Sequence, residues 1–157
     1  MNFEKISEIL DQIFLKKTEE QTVDLLNFLQ KEIKNRTPFK TEPVCSIQWV
    51  KSELVNANDY NPNTVAPPEM ELLRQSIIQD GYTQPIVTWF HDGKYEVVDG
   101  FHRNRVGKEC ADVRNRIKGY LPVVVINDER TDIGDRMAST VRHNRARGKH
   151  RVEAMSD

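Results

Sequence analysis

The chain has 157 residues, of which 30% are charged and 38% hydrophobic, and its formal net charge is −1. That length suits one domain with an appendage and can bury a sizeable core. No apolar run approaches the ~18 residues that a membrane-spanning helix needs. Met1-Asn2-Phe3-Glu4-Lys5 lacks the basic region and apolar stretch of a secretory signal. Cys45 and Cys110 lie far apart and outside any metal-type spacing. They read as small apolar residues in a reducing cytoplasm, and no metal site is expected.

The small net charge hides an asymmetry. Residues 1–99 carry 10 Lys and Arg against 16 Asp and Glu, whereas residues 100–151 carry 13 against 6. A basic second half points to an anionic partner, either a nucleotide or a nucleic acid backbone. A solvated helix face with paired charges would leave the same signature.

In residues 3–15, Phe3, Ile6, Ile9, Leu10, Ile13 and Phe14 fall at helical spacing and form one apolar stripe. Thr18 followed by Gln21 is a capping box that opens a second helix, with Val23, Leu25, Leu26, Phe28, Leu29 and Ile33. Residues 1–36 are thus expected as a helical hairpin, 37–43 as a proline-containing linker, and 44–157 as the main domain. The hairpin stripe must find cover, on its own domain or on a second copy, which makes a homodimer an expectation.

Within the main domain, 44–50 reads as a strand and 51–55 as a short helix or turn. Residues 56–63 are dense in turn formers. Pro67-Pro68 starts a helix lined by Met70, Leu72, Leu73, Ile77 and Ile78, and Gly81 stands where a left-handed cap belongs. Strands are predicted over 85–90 and 94–98, joined by the hairpin turn His91-Asp92-Gly93. A helix over 101–110, a buried strand over 121–126 and a basic helix over 131–145 follow. Residues 152–155 read as a helix start. The fold class is α/β (α+β), a small mixed sheet with flanking helices behind an N-terminal α-hairpin.

The segment Asp99-Gly100-Phe101-His102-Arg103 carries the chemistry. A strand that runs through Asp99-Gly100 straight into a helix leaves backbone N–H groups at a positive helix end, where an anion fits. Gly100 permits the sharp turn and a close ligand. His102 and Arg103 add donors, and Arg supplies a bidentate fork for phosphate. Cations at this helix end, with Arg105 beside them, are unfavourable unless an anion is present. The bland alternative pairs Asp99 with Arg103.

Several motifs now stand in order: Ser76-Ile77 with Gly81 and Gln84-Pro85-Ile86, then Asp99-Gly100-Phe101-His102-Arg103, Leu121-Pro122-Val123-Val124-Val125, and Asn144-Arg145-Ala146-Arg147. Over roughly residues 44–155 the chain resembles the ParB N-terminal domain family of the ParB/sulfiredoxin-like fold. Its closest resemblance is to ParB-like co-activators of prophage gene expression. There an S-I-x-x-x-G-x-x-Q-P-I helix and turn precede a G-E-R-R phosphate motif and an E-N-x-x-R segment. The resemblance implies nucleotide contacts from Thr83, Gln84, Pro85, Gly100, Phe101, His102, Arg103, Asn144 and Arg147, to CTP or ATP with Mg2+. Phe101 stands where sulfiredoxins have Cys, so without a thiolate sulfinic-acid chemistry is excluded. His143 replaces the downstream Glu, which leaves the identity of the base open.

Three functions follow as expectations. The first is a regulatory nucleotide- and DNA-binding module for prophage genes, with Arg142, Arg145, Lys149 and Arg151 on a DNA backbone. The resemblance adds a phosphoadenosine-phosphosulfate-reductase-like partner. The second is a nucleotide hydrolase or serine-type small-molecule kinase, with Asp99 or Glu53 as general base and Mg2+ on the phosphates. The third is a non-catalytic adaptor working through the apolar hairpin.

Overall fold

The computed structural model describes residues 1–57, 67–127 and 133–146. The chain divides into two compact units, Met1–Trp49 and Val50–Asp157.

In the first unit, helix α1 (Phe3–Phe14) opens on Asn2, whose side chain accepts from the Lys5 N–H at 3.2 Å. Helix α2 (Glu19–Asn35) opens on the capping box read from the sequence. The Gln21 N–H donates to Thr18 Oγ1 at 3.2 Å, and the Thr18 N–H donates to Gln21 Oε1 at 3.0 Å. Neither helix contains a buried residue. Asn27 on α2 grips the backbone of Trp49 from both sides. Its Nδ2 donates to the Trp49 carbonyl at 2.7 Å and its Oδ1 accepts the Trp49 N–H at 2.8 Å.

The strand expected over 44–50 is shorter. Pro43 starts a 3-10 turn (Pro43–Cys45), closed by the Ser46 N–H on the Pro43 carbonyl, so β1 (Gln48–Lys51) begins only afterwards. A second 3-10 turn (Ser52–Leu54) leads into a two-residue strand, β2 (Val55–Asn56), that the residue pattern did not suggest.

Helix α3 (Pro67–Asp80) ends on Gly81, at φ +81°, whose N–H returns to the Ile77 carbonyl. Strands β3 (Ile86–His91) and β4 (Lys94–Asp99) form the expected hairpin. Asp92 and Gly93 both have positive φ, as a primed turn requires. Helix α4 (Phe101–Glu109) follows directly, then α5 (Ala111–Arg116), which sequence periodicity missed because six residues are too few to show one. Strand β5 (Tyr120–Val125) and helix α6 (Ile133–Ala146) complete the described chain. The helix start read at 152–155 lies outside the described residues.

The strands form one sheet in the order β1-β5-β3-β4-β2. β4 runs antiparallel to β3 and parallel to β2, while β5 runs parallel to β3, so the sheet is mixed as expected. Val50, Val55, Ile86, Val97, Phe101, Leu121 and Val123 make the main core, and Ile77, Val106 and Val113 make a second cluster between helices. Tyr82 and Ile117 pack against both.

Gly107 sets how closely α4 can approach its neighbours. A Cβ there would overlap Leu121 Cδ2 and lie 2.5 Å from the Tyr82 hydroxyl. Gly107→Ala is therefore expected to destabilise the fold by about 1–3 kcal/mol through overpacking. A lower urea midpoint at unchanged slope would report this. An unchanged midpoint would mean that α4 has room to move away.

Candidate functional site

Strand β4 delivers Asp99 into the interior, where it is 5% exposed. One carboxylate oxygen, Oδ1, accepts the Gly100 N–H at 2.8 Å. Gly100 then takes the left-handed conformation (φ +93°, ψ 30°) as N-cap of α4, with no side-chain cap. A Cβ on Gly100 would lie 2.8 Å from Arg103 Nη2 and 3.3 Å from Ile86 Cα. Both the backbone conformation and the available space therefore call for glycine.

Arg103 folds back over this glycine. Its Nη2 donates to the Pro85 carbonyl at 3.2 Å, which links the Gln84-Pro85 segment to the first turn of α4. Tyr82 closes the arrangement from behind, with its hydroxyl donating to the Arg103 carbonyl at 2.8 Å. Burial pushes the Tyr82 phenol up to about 12, against the opposing pull of the nearby Arg103 charge. Three chain segments thus meet at one helix start: the loop before β3, the end of β4 and the beginning of α4.

The corner has the chemistry of an oxyanion cradle. An α-helix start directs its first N–H groups outward and carries partial positive charge. Arg103, itself half-buried, adds a guanidinium whose charge is only partly screened by water. His102, also half-buried, lies in the same turn. Among the described residues there is no group of three or more His, Cys, Asp or Glu side chains that could hold a metal ion.

The remaining expectations fall out unevenly. Thr83 and Gln84 are exposed and Pro85 is half-buried, all on the segment that Arg103 grips. Phe101 is 6% exposed and packs in the main core. Arg105 does not join the corner cations, because its Nε and Nη2 donate to Glu109 one turn on, at 3.1 and 3.2 Å. Glu53 is exposed on the 3-10 turn before β2. Helix α6, which carries Asn144, packs against β4, the strand that ends at the corner. Arg142 and Arg145 are exposed on α6. Arg147, Lys149 and Arg151 lie outside the described residues.

Three residues escaped the sequence reading. Tyr82 had one signal, its place directly after the glycine that ends α3. Asn104 and Thr140, 2% and 1% exposed, each bury a side-chain oxygen with no hydrogen-bond partner among the described residues. Polar side chains inside helices carry no mark of such burial in the sequence.

The family model for the ParB N-terminal domain matches residues 34–139. The chain is 43% identical over 155 residues to YbdM, an uncharacterized protein of Escherichia coli (strain K12), covering 98% of this chain and 73% of that protein. Among solved structures it is similar to the C-terminally truncated chromosome-partitioning protein ParB from Caulobacter crescentus complexed with CTP-gamma-S. The TM-score is 0.50 at 22% identity, over 64% of this chain and 53% of that one. The same ParB complexed to the centromeric parS site matches at TM-score 0.38 and 23% identity, over 65% and 50%. The chain spans about half the length of these partition-protein chains, and its likeness to the CTP-gamma-S complex is one of fold.

The Tyr82 hydroxyl offers a pH test of the corner. An unfolded tyrosine ionises near pH 10, whereas the folded Tyr82 holds its proton to about 12. This contribution to stability is complete below pH 10 and is lost as pH rises towards 12. Tyr82→Phe should lower stability by about 0.5–1.5 kcal/mol at neutral pH, for one lost hydrogen bond. It should also lose less stability than the wild type above about pH 10. Parallel alkaline profiles in urea would show that Tyr82 is not held as described.

Proposed function

Because the chain belongs to the ParB N-terminal domain family, we propose that it is a nucleotide-binding regulatory protein whose phosphate site is the Gly100–Arg103 corner. The observation that carries this reading is the left-handed Gly100 under the Arg103 guanidinium, at the start of α4, which has no side-chain cap. Nothing larger than hydrogen fits on Gly100, and donors converge beside it. The Caulobacter crescentus relative of the same fold was solved with a CTP analogue. CTP is therefore the first nucleotide to test, followed by ATP.

In this reading the N–H groups at the start of α4, with His102 and Arg103, hold phosphate. Thr83, Gln84 and Pro85 lie along the nucleotide, and Asn144 and Arg147 are further contacts to it. Any Mg2+ is carried by the phosphates themselves. In this reading Asp99 supports the corner, one of its oxygens accepting the Gly100 N–H. Arg142 and Arg145, joined by Lys149 and Arg151, meet a DNA backbone, which supplies affinity but not sequence. The biological setting we propose is regulation of prophage or mobile-element genes in the cytoplasm, with a phosphoadenosine-phosphosulfate-reductase-like protein as partner.

Calorimetric titration with CTP, ATP and GTP, with and without Mg2+, tests the nucleotide site. At least one triphosphate should bind, and Arg103→Ala should weaken it at least about tenfold, the loss of a charge-assisted contact. Its circular dichroism should remain that of the wild type. No binding by any of the three would overturn the reading. Phosphate release that disappears in Asp99→Asn would replace the regulator with a hydrolase.

For the DNA contact, affinity for a random duplex should fall steeply between low and high salt. The slope should flatten in Arg142→Ala/Arg145→Ala by about one unit per phosphate contact removed. Salt-independent binding would rule out backbone contact by α6.

A further inference from the structure

We propose that Arg116, the last residue of α5, is a positioning residue of the nucleotide site, fixing the end of α3 from which segment 82–85 departs. The inference rests on the nucleotide reading and adds to it a residue that does not touch the ligand.

Five residues, 81–85, join α3 to β3. Thr83 and Gln84 are exposed and belong to neither element, so their order depends on what holds the two ends. The far end is held by Arg103, whose Nη2 donates to the Pro85 carbonyl and lies over Gly100.

The near end is held in the same manner. Arg116 Nη1 donates to the Ile78 carbonyl at 2.7 Å and to the Ile77 carbonyl at 3.2 Å. These lie in the last turn of α3, where helix carbonyls run out of partners and a cation complements the dipole. The Ile77 carbonyl also accepts the Gly81 N–H, so the glycine cap and the guanidinium meet on one oxygen. A Cβ on Gly81, at φ +81°, would lie 3.1 Å from Arg116 Nη2. Each end of the segment is thus gripped by an arginine that packs where a left-handed glycine has no side chain.

Helix α5 brings Arg116 into place. Its Val113 is buried in the second core cluster, and its Asp112 pairs with Arg74 of α3. Arg114 on the same helix caps a different one, its Nη1 donating to the Lys108 carbonyl at the end of α4 at 3.1 Å. Only the helix end that Arg116 caps runs on into segment 82–85, since α4 turns its other end to the site. Without Arg116 that segment would have to be ordered when the ligand arrives, and affinity would fall accordingly.

The test compares Arg114→Ala with Arg116→Ala in the full chain. Both side chains are exposed, and the two variants should keep the wild-type circular dichroism and shift the urea midpoint to a similar extent. In nitrogen-15 relaxation without ligand, the Tyr82, Thr83 and Gln84 amides should have order parameters near ~0.85 in the wild type and Arg114→Ala, falling towards ~0.6 in Arg116→Ala. Calorimetry then uses whichever of CTP, ATP and GTP the wild type binds. Binding should be about three- to thirtyfold weaker in Arg116→Ala and unchanged in Arg114→Ala. Arg116→Lys, whose ammonium can still donate to both carbonyls, should restore both readouts.

Equal weakening in the two alanine variants would make Arg116 a structural cap and overturn the proposal. So would unchanged order at residues 82–84 in Arg116→Ala. If the wild type binds none of the three triphosphates, the nucleotide reading falls and the ligand part of the proposal with it. The order parameters would still decide whether Arg116 fixes the segment.

Discussion

The contact on which the site depends is that of the Arg103 guanidinium with the Pro85 carbonyl, made across a glycine that has no side chain to block it. It joins the loop that enters β3 to the helix that leaves β4, and those two strands lie side by side in the sheet. It ties the Gln84-Pro85 segment to the start of α4. The left-handed turn at Gly100, the buried Asp99 carboxylate on its N–H and the Tyr82 hydroxyl on the Arg103 carbonyl all hold the same few ångströms of chain.

The corner sits on rigid supports. Phe101 anchors the first turn of α4 in the main core, and Gly107 lets the same helix lie close to Leu121 and Tyr82. An anion site gains from such preorganisation, because the donors need not be ordered when the ligand arrives. The same packing explains a division of labour in Gly100-Phe101-His102-Arg103. The Phe101 ring serves the fold, while His102 and Arg103 carry the polar groups of the same turn.

Much of this was legible from residue order. The capping box of α2, the Asp92-Gly93 turn, the glycine at the end of α3 and the strand–glycine–helix step at Asp99-Gly100 are local devices, each specified by residues within one turn of each other. The elements that were missed are those held from outside. The two residues of β2 are a strand only because β4 lies alongside, and α5 is a single short stretch between α4 and the turn before β5. Pro43 shortened the first strand, since its ring suits the start of a 3-10 turn and it has no N–H for a ladder.

By itself, then, the sequence determined the mixed α/β class, the Asp92-Gly93 turn and the strand–glycine–helix step at Asp99-Gly100, because those follow from local periodicity and glycine. Only the tertiary structure decided what each charged group does. It assigned Arg103 to Pro85 across the sheet, Arg105 to Glu109 along the helix, and Tyr82 to the Arg103 carbonyl. It also turned Phe101 inward and left the stripe of α1 outward. The physical reason is distance in the chain. A cap or a turn is settled within four residues, whereas the partner of a long side chain is whichever group the folded backbone brings within 3 Å or so.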